Sequence, residues 1–171
     1  MKFFFLPFVC LLLVFGSCKK KGDIVPTNTI SATIDGANVN FNVDASARIV
    51  TNALGLYANL LDITGSTGAD GNRATIVITI TSKNSITNGT VISSDNGADA
   101  FSDIIYEKTD PISQIAQPYI TDNFGHYPTV VTITSISNTN IQGTFNGTLV
   151  YSLGGTSTKI VTNGKFNMKI N

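Results

Sequence analysis

Several residue types are missing or nearly missing from this chain of 171 residues. Tryptophan is absent, glutamate and histidine occur once each, as Glu107 and His126, and there are two cysteines. Cys10 lies in a hydrophobic leader and Cys18 directly follows it, so the rest has no thiol for a disulfide, a zinc site or a nucleophile. As the single histidine, His126 is the only imidazole base that a catalytic site could use.

A strong charge of either sign is also missing, but the even balance hides an asymmetry. The chain has 11 basic and 11 acidic residues, and four of the lysines lie at or near its start: Lys2, Lys19, Lys20 and Lys21. From residue 22 onward, seven basic residues stand against eleven acidic ones, which leaves a net charge of −4. This negative balance argues against nucleic acid as a partner.

The first 17 residues have the pattern of an export signal that ends at a lipid-accepting cysteine. Lys2 precedes an apolar run over residues 3–15, and Phe15-Gly16-Ser17-Cys18 resembles the lipobox, at which a diacylated cysteine becomes the first residue. The apolar run is too short for a helix that crosses about 30 Å of hydrocarbon. We therefore predict a cleaved signal over 1–17, lipidation at Cys18 and a flexible tether over 18–28. Ordinary secretion with an unmodified Cys18 is the alternative.

If Cys18 is lipidated, the first expected partner of this protein is the membrane. Each buried methylene of an acyl chain contributes about 0.8 kcal/mol, so several chains anchor a protein almost permanently. Lys19, rather than aspartate, directly follows the cysteine, which is compatible with transport to the outer membrane. The expected location is the outer membrane, and the sequence leaves open whether the domain faces the periplasm or the outside.

Residues 29–171 alternate between apolar and polar side chains, which predicts a single all-β domain. Ile30, Ala32 and Ile34 are followed by Asp35-Gly36, a typical turn signal of a tight hairpin, and then by a second alternating run. Nine to ten strands are expected in all, with a long connection over 110–127 that contains one helical turn near 112–116. The predicted architecture is a two-sheet antiparallel β-sandwich, immunoglobulin-like or related, with a barrel as the alternative.

Three short motifs stand out in the domain: Ile34-Asp35-Gly36, Gly143-Thr144-Phe145 and Thr162-Asn163-Gly164-Lys165-Phe166. With them, the chain resembles a family of small lipoproteins of the Bacteroidota type. The resemblance extends over nearly the whole domain and implies an all-β lipoprotein without an assigned activity, so it transfers no functional residue. Members often have tryptophan in the first hairpin, where this chain has Phe41.

One loop combines the residue types that bind sugars. Aromatic rings pack on the C–H face of a pyranose and amides bind its hydroxyls, and loops on a rigid β scaffold are common binding positions. The candidate ligand-binding residues are Tyr119, Asn123, Phe124, His126 and Tyr127. The alternative is a surface loop that its aromatic side chains hold against the end of the domain.

A second loop contains the densest group of oxygen ligands, with Asp95, Asp99 and Asp103 as a weak candidate site for calcium. The spacing differs from that of an EF-hand loop, and a polar turn whose side chains bond their own backbone explains it equally. No other metal and no cofactor is predicted.

The leading hypothesis is a non-catalytic, lipid-anchored envelope protein with a binding or structural role. A glycan-binding accessory lipoprotein is the second hypothesis, and another envelope protein is the other partner considered. A hydrolase that uses His126 or a pair of aspartates is the third, although no triad follows from spacing alone.

Overall fold

The computed structural model describes residues 27–51, 59–68, 72–95, 97–122 and 124–171. The predicted signal over 1–17, Cys18 and the tether up to residue 26 lie outside the described residues, as does Asn123.

The chain enters the domain through the predicted hairpin. Strand β1 (Thr29–Ile34) and strand β2 (Ala37–Asn40) pair antiparallel on either side of Asp35 and Gly36. Both turn residues have positive φ angles, 47° and 83°, which is the conformation of the tight turns that match strand twist. Ile30, Ala32 and Ile34 are buried, and the residues between them are half-buried, so the alternation in the sequence marks the core-facing side.

Nine further strands complete one curled antiparallel sheet that forms a half-barrel. They are β3 (Val43–Thr51), β4 (Asn59–Ser66), β5 (Ala74–Ser82), β6 (Val91–Ser93), β7 (Ala100–Thr109), β8 (Ala116–Thr121), β9 (Thr129–Ile136), β10 (Asn140–Tyr151) and β11 (Thr158–Lys169). The main path runs β2-β1-β11-β10-β8-β7-β5-β4-β3. A parallel bridge between Ala47 and Ile170 joins β3 to the end of the chain. The predicted all-β sandwich or barrel class is confirmed.

Strand β10 forks the sheet. Its residues 141–147 pair with β9, and its residues 149–151 pair with β8 along the same edge, because β11 occupies the other edge. Strand β9 in turn pairs with the short β6. The connection from β8 to β9 therefore leaves the sheet at the point where β10 changes partner.

The core lies on the inner side of the curled sheet. Ile76, Ile78 and Ile80 of β5 are fully buried, as are Phe41 and Phe145. Burying one such side chain contributes about 1.5–3 kcal/mol, so the central strands supply much of the stability.

The motifs Gly143-Thr144-Phe145 and Thr162-Asn163-Gly164-Lys165-Phe166 pack against each other reciprocally. Phe145 pairs with Gly164 across β10 and β11, and Phe166 pairs with Gly143 two positions along. The two phenyl rings are stacked at 6.5 Å between centroids. Each ring lies over the other strand's glycine, and a Cβ at Gly164 would come within 2.6 Å of the Phe145 ring. An irregularity of the β-bulge kind lies next to Gly164, because the pairing register shifts there and Asn163 has a φ of 53°.

The prediction of a long connection over 110–127 is wrong for its middle part, because β8 occupies Ala116–Thr121. The prolines at 111 and 118 suggested a connection. Pro118 is tolerated in this inner strand because its nitrogen, like its carbonyl, faces the β10 side at a position beyond the last residue pair of β8 with β10. Its carbonyl accepts a hydrogen bond there from Ser152 N–H. A turn at residues 111–113, capped by Asp110, stands where a helical turn was expected.

Candidate functional site

The loop that leaves the fork is organised by one carboxylate. Asp122 is 5% exposed and accepts hydrogen bonds from Phe124 N–H at 2.9 Å and His126 N–H at 3.0 Å. Nδ1 of the His126 ring lies 3.1 Å from the same carboxylate. The hydrogen bond from Phe124 N–H makes the largest contribution to a lowered pKa of Asp122, and the hydrogen bonds from His126 lower it further. The loop is thus built around a buried anion.

Two buried threonines close the base of this loop. Thr121 ends β8 and Thr129 begins β9, and their hydroxyl oxygens are 3.3 Å apart. Thr129 N–H also donates to the hydroxyl of Ser94, 35 residues earlier. The loop therefore has fixed ends on a rigid part of the sheet.

Three of the predicted ligand-binding side chains project from the loop. Phe124 is 88% exposed, the side chain of His126 is 73% exposed and Tyr127 is 46% exposed. The Phe124 and His126 rings are 6.5 Å apart and tilted by 43°. Phe124 and the His126 side chain are largely exposed and Tyr127 is partly exposed, so the loop presents aromatic surface to solvent.

Tyr119 does not belong to this loop. It lies on β8, is 6% exposed, and packs between the rings of Tyr106 and Tyr151 at 6.4 and 5.4 Å. Its hydroxyl is 3.2 Å from the hydroxyl of Ser157. The structure therefore places Tyr119 in the aromatic core and separates it from Phe124, His126 and Tyr127.

An ion pair covers this aromatic core and joins distant parts of the sequence. Lys159 Nζ lies 2.7 Å from Asp35 Oδ2 and 5.3 Å from the centre of the Tyr119 ring. Burial alone would raise the pKa of Asp35, but hydrogen bonds from Lys159 and from Ile160 N–H outweigh it and lower the pKa. The bond to Asp35 raises the pKa of Lys159. The aspartate of the first hairpin thus holds that hairpin to β11.

The weak calcium candidates are not brought together. Asp99 ends a single 3-10 turn, Gly97–Asp99, and forms an exposed ion pair with Lys83 at 2.7 Å. Asp103 lies on β7 opposite Thr79, and Asp95 is exposed. Across the described ranges, no group of three or more His, Cys, Asp or Glu side chains is placed to hold a metal ion.

A polar groove on the outer side of β1, β11 and β10 was not predicted. Its floor contains Asn167, which is 5% exposed although it faces away from the core. Thr29 and Gln142 flank Asn167 on the neighbouring strands. The cavity has a volume of about 240 Å³. Because the groove depends on the pairing of β1 with β11, more than 130 residues apart in sequence, no local pattern could predict it.

The His126 ring is hydrogen-bonded to Asp122 and, within the part of the chain that the structure describes, to no serine hydroxyl. The arrangement has two of the three members of a Ser-His-Asp triad, and the buried carboxylate orients the imidazole. In the same part of the chain, no helix is both long enough and apolar enough to cross a membrane.

No family model, no curated protein and no solved structure matches the chain.

Proposed function

We propose that this chain is a non-catalytic lipoprotein of the outer membrane, anchored through Cys18, whose sheet domain has a binding or structural role at the envelope. The observation that carries the proposal is the order Lys2, apolar run, Gly16-Ser17-Cys18 at the start of the sequence. The motifs that resemble small Bacteroidota-type lipoproteins agree with it.

The way in which the chain enters the domain is compatible with a tether. Asn28 Oδ1 accepts a hydrogen bond from Lys169 N–H at 2.9 Å, and β1 follows directly. Nine or so residues between Cys18 and this point span at most about 30 Å when extended. Such a tether holds the domain close to the membrane surface.

Membrane fractionation of Cys18→Ser tests the anchor. The variant is expected to lose its acyl chains and to leave the membrane fraction, because position 18 then has no thiol to be acylated. Cys10→Ser is the matched control, since it makes the same change inside the segment that cleavage removes. An unmodified N-terminus in the wild-type protein, measured by mass spectrometry, would refute lipidation.

A glycan-binding accessory role is the second candidate, and the exposed loop favours it. Phe124 and Tyr127 offer aromatic faces to pyranose rings, and Asp122 holds the loop backbone in place before any ligand arrives. A preorganised site loses less entropy on binding than a mobile one.

A thermal-shift screen of the protein against oligosaccharides tests this second candidate. A ligand at 100 times its Kd stabilises by about 2.7 kcal/mol, which raises Tm by roughly 5–10 °C in a domain of this size. Phe124→Ala is expected to abolish the shift, whereas Leu153→Ala, which truncates another exposed apolar side chain, is expected to preserve it. A shift that survives Phe124→Ala would assign the sugar to another surface.

A further inference from the structure

The outer side of β11 has an alternating row of polar residues between two other polar strands. Lys165 pairs with Ser31 of β1 and Thr144 of β10, and the next outward residue, Asn167, pairs with Thr29 and Gln142. Phe145 and Phe166 explain why glycines are needed at 143 and 164. The packing of the core gives no such reason for Thr144 or Lys165, which face the other way.

The groove continues along the strand beyond Asn167. A second cavity of about 410 Å³ shares Gln142 and Asn167 with the first and extends to Lys169 and Asn140. Lys165 and Lys169 are four residues apart on the same strand face, which places their Cα atoms about 13 Å apart. The two cavities adjoin at Gln142 and Asn167 and together make one groove, with one lysine in the lining of each part.

The charge of the groove is opposite to that of the domain around it. Among the described residues, no aspartate or glutamate lines either cavity. Lys165 and Lys169 are exposed, and neither forms an ion pair with any residue that the structure describes. Since residues 22–171 have a net charge of −4, these two lysines form a positive region on a negative protein.

Asn167 shows that the groove has depth. An amide that faces away from the core would ordinarily be solvated, yet this residue is 95% buried between its neighbours and accepts a hydrogen bond from Asn140 Nδ2 at 3.1 Å. At the sides of the groove, the hydroxyls of Ser31 and Thr144 and the amide of Gln142 offer both donors and acceptors. That combination suits a ligand with many hydroxyl groups.

We propose that this groove binds a short stretch of an acidic glycan, with uronate carboxylates paired to Lys165 and Lys169. The sugar hydroxyls bond to Ser31, Thr144 and Gln142. The inference rests on the proposed binding role of the domain and names its ligand class. It differs from the aromatic loop, where stacking would make neutral sugars suitable.

Isothermal titration of the whole lipidated protein in detergent tests the proposal. The probes are short oligogalacturonides, neutral oligosaccharides of equal length, and acetate. Binding of the oligogalacturonide is expected to weaken at high salt. The Lys165→Gln/Lys169→Gln variant is expected to weaken it about tenfold, because each exposed charge pair contributes about 0.2–1 kcal/mol. Lys108→Gln removes one exposed positive charge from β7 and is expected to have no effect.

Three results would overturn the inference: no binding of oligogalacturonide, equal binding of the neutral oligomer, or unchanged affinity in the double lysine variant. Competition by acetate at equal concentration would reduce the groove to a general anion site and would also overturn it. If only the neutral oligosaccharide binds, and its binding depends on Phe124, the glycan-binding role of the domain stands and the proposed site in the groove is refuted. Thr144→Val, which keeps shape and removes a hydroxyl, is expected to weaken acidic sugar binding without changing Tm.

Discussion

Adding one methyl group at Gly164 should be far more costly than adding it at Gly68, which has open space around it. A Cβ at Gly164 would lie 2.3 Å from the carbonyl oxygen of Phe145 and 2.6 Å from its ring. Real Cβ atoms essentially never come this close to a neighbour, so β10 and β11 must separate locally. Overpacking of this kind costs about 1–3 kcal/mol, and the involvement of backbone places Gly164→Ala near the upper end.

Gly68→Ala is the matched control. Its Cβ would have no atom within 4 Å, and its φ angle is outside the positive range, so the change is expected to be neutral or to stabilise by up to about 1 kcal/mol. Both variants are compared by urea and thermal denaturation. A loss of about 3 kcal/mol would lower Tm by roughly 6–12 °C.

A second substitution distinguishes the contact with the Phe145 ring from the contact with the Phe145 carbonyl oxygen. Phe145→Leu in the Gly164→Ala background removes the ring atoms but leaves the carbonyl oxygen at 2.3 Å, so rescue should be partial. A double-mutant cycle measures this coupling, with an expected 0.5–3 kcal/mol. If Gly164→Ala is as stable as Gly68→Ala, the explanation of the two motifs by reciprocal packing is wrong.

Three further predictions concern charged groups. Because the pKa of Asp122 is lowered, its stabilising contribution is complete above about pH 3.9 and is lost as pH falls through the lowered value. Asp122→Asn should therefore flatten the fall in urea midpoint between neutral pH and strong acid, and an unchanged acid profile would contradict this. Asp103 has a buried Oδ1 without a hydrogen-bond partner among the described residues, so Asp103→Thr should raise stability by about 1 kcal/mol; a lower urea midpoint would refute that reasoning. Lys159→Met keeps the alkyl chain over Tyr119 and removes the partly exposed pair with Asp35, which should cost about 0.5–1 kcal/mol in chemical denaturation.

Period-two alternation predicted the strands whose two sides differ clearly. In β5, Ile76, Ile78 and Ile80 alternate with threonine and valine, and all three isoleucines are fully buried. The first hairpin followed from Asp35-Gly36 because the turn residues specify its backbone conformation.

Alternation was less informative where apolar residues occur on both sides of a strand. In β4, Leu60 and Leu61 are adjacent, and the pattern alone does not decide which faces the core. Leu61 and Ile63 are fully buried, whereas Leu60 is half-buried on the side of Asp62 and Arg48. Strand β8 was missed because Pro118 is normally a signal against an inner strand.

The candidate sites also differ in whether a local stretch of sequence or long-range strand pairing forms them. The aromatic loop is contiguous in sequence, so Phe124, His126 and Tyr127 could be grouped before the structure was known, although Tyr119 was grouped with them wrongly. The pair Asp35 and Lys159 is separated by 124 residues, and it depends on strand pairing across the whole sheet. The polar groove depends on the same pairing.

The pairing of β1 with β11 also decides when the domain can form. Thr29 pairs with Asn167, and Ile34 pairs with Val161, so the first strand has to wait for the last one. The chain emerges with its N-terminus first, and until β11 has emerged β1 has β2 as its only neighbour in the completed ladder. Long-range ladders of this kind fold in milliseconds to seconds, and their open edges invite pairing with other chains in the meantime. Removal of β11 would leave β1 and β10 as two unpaired edges, so even a short truncation at the C-terminus should make the protein prone to aggregation.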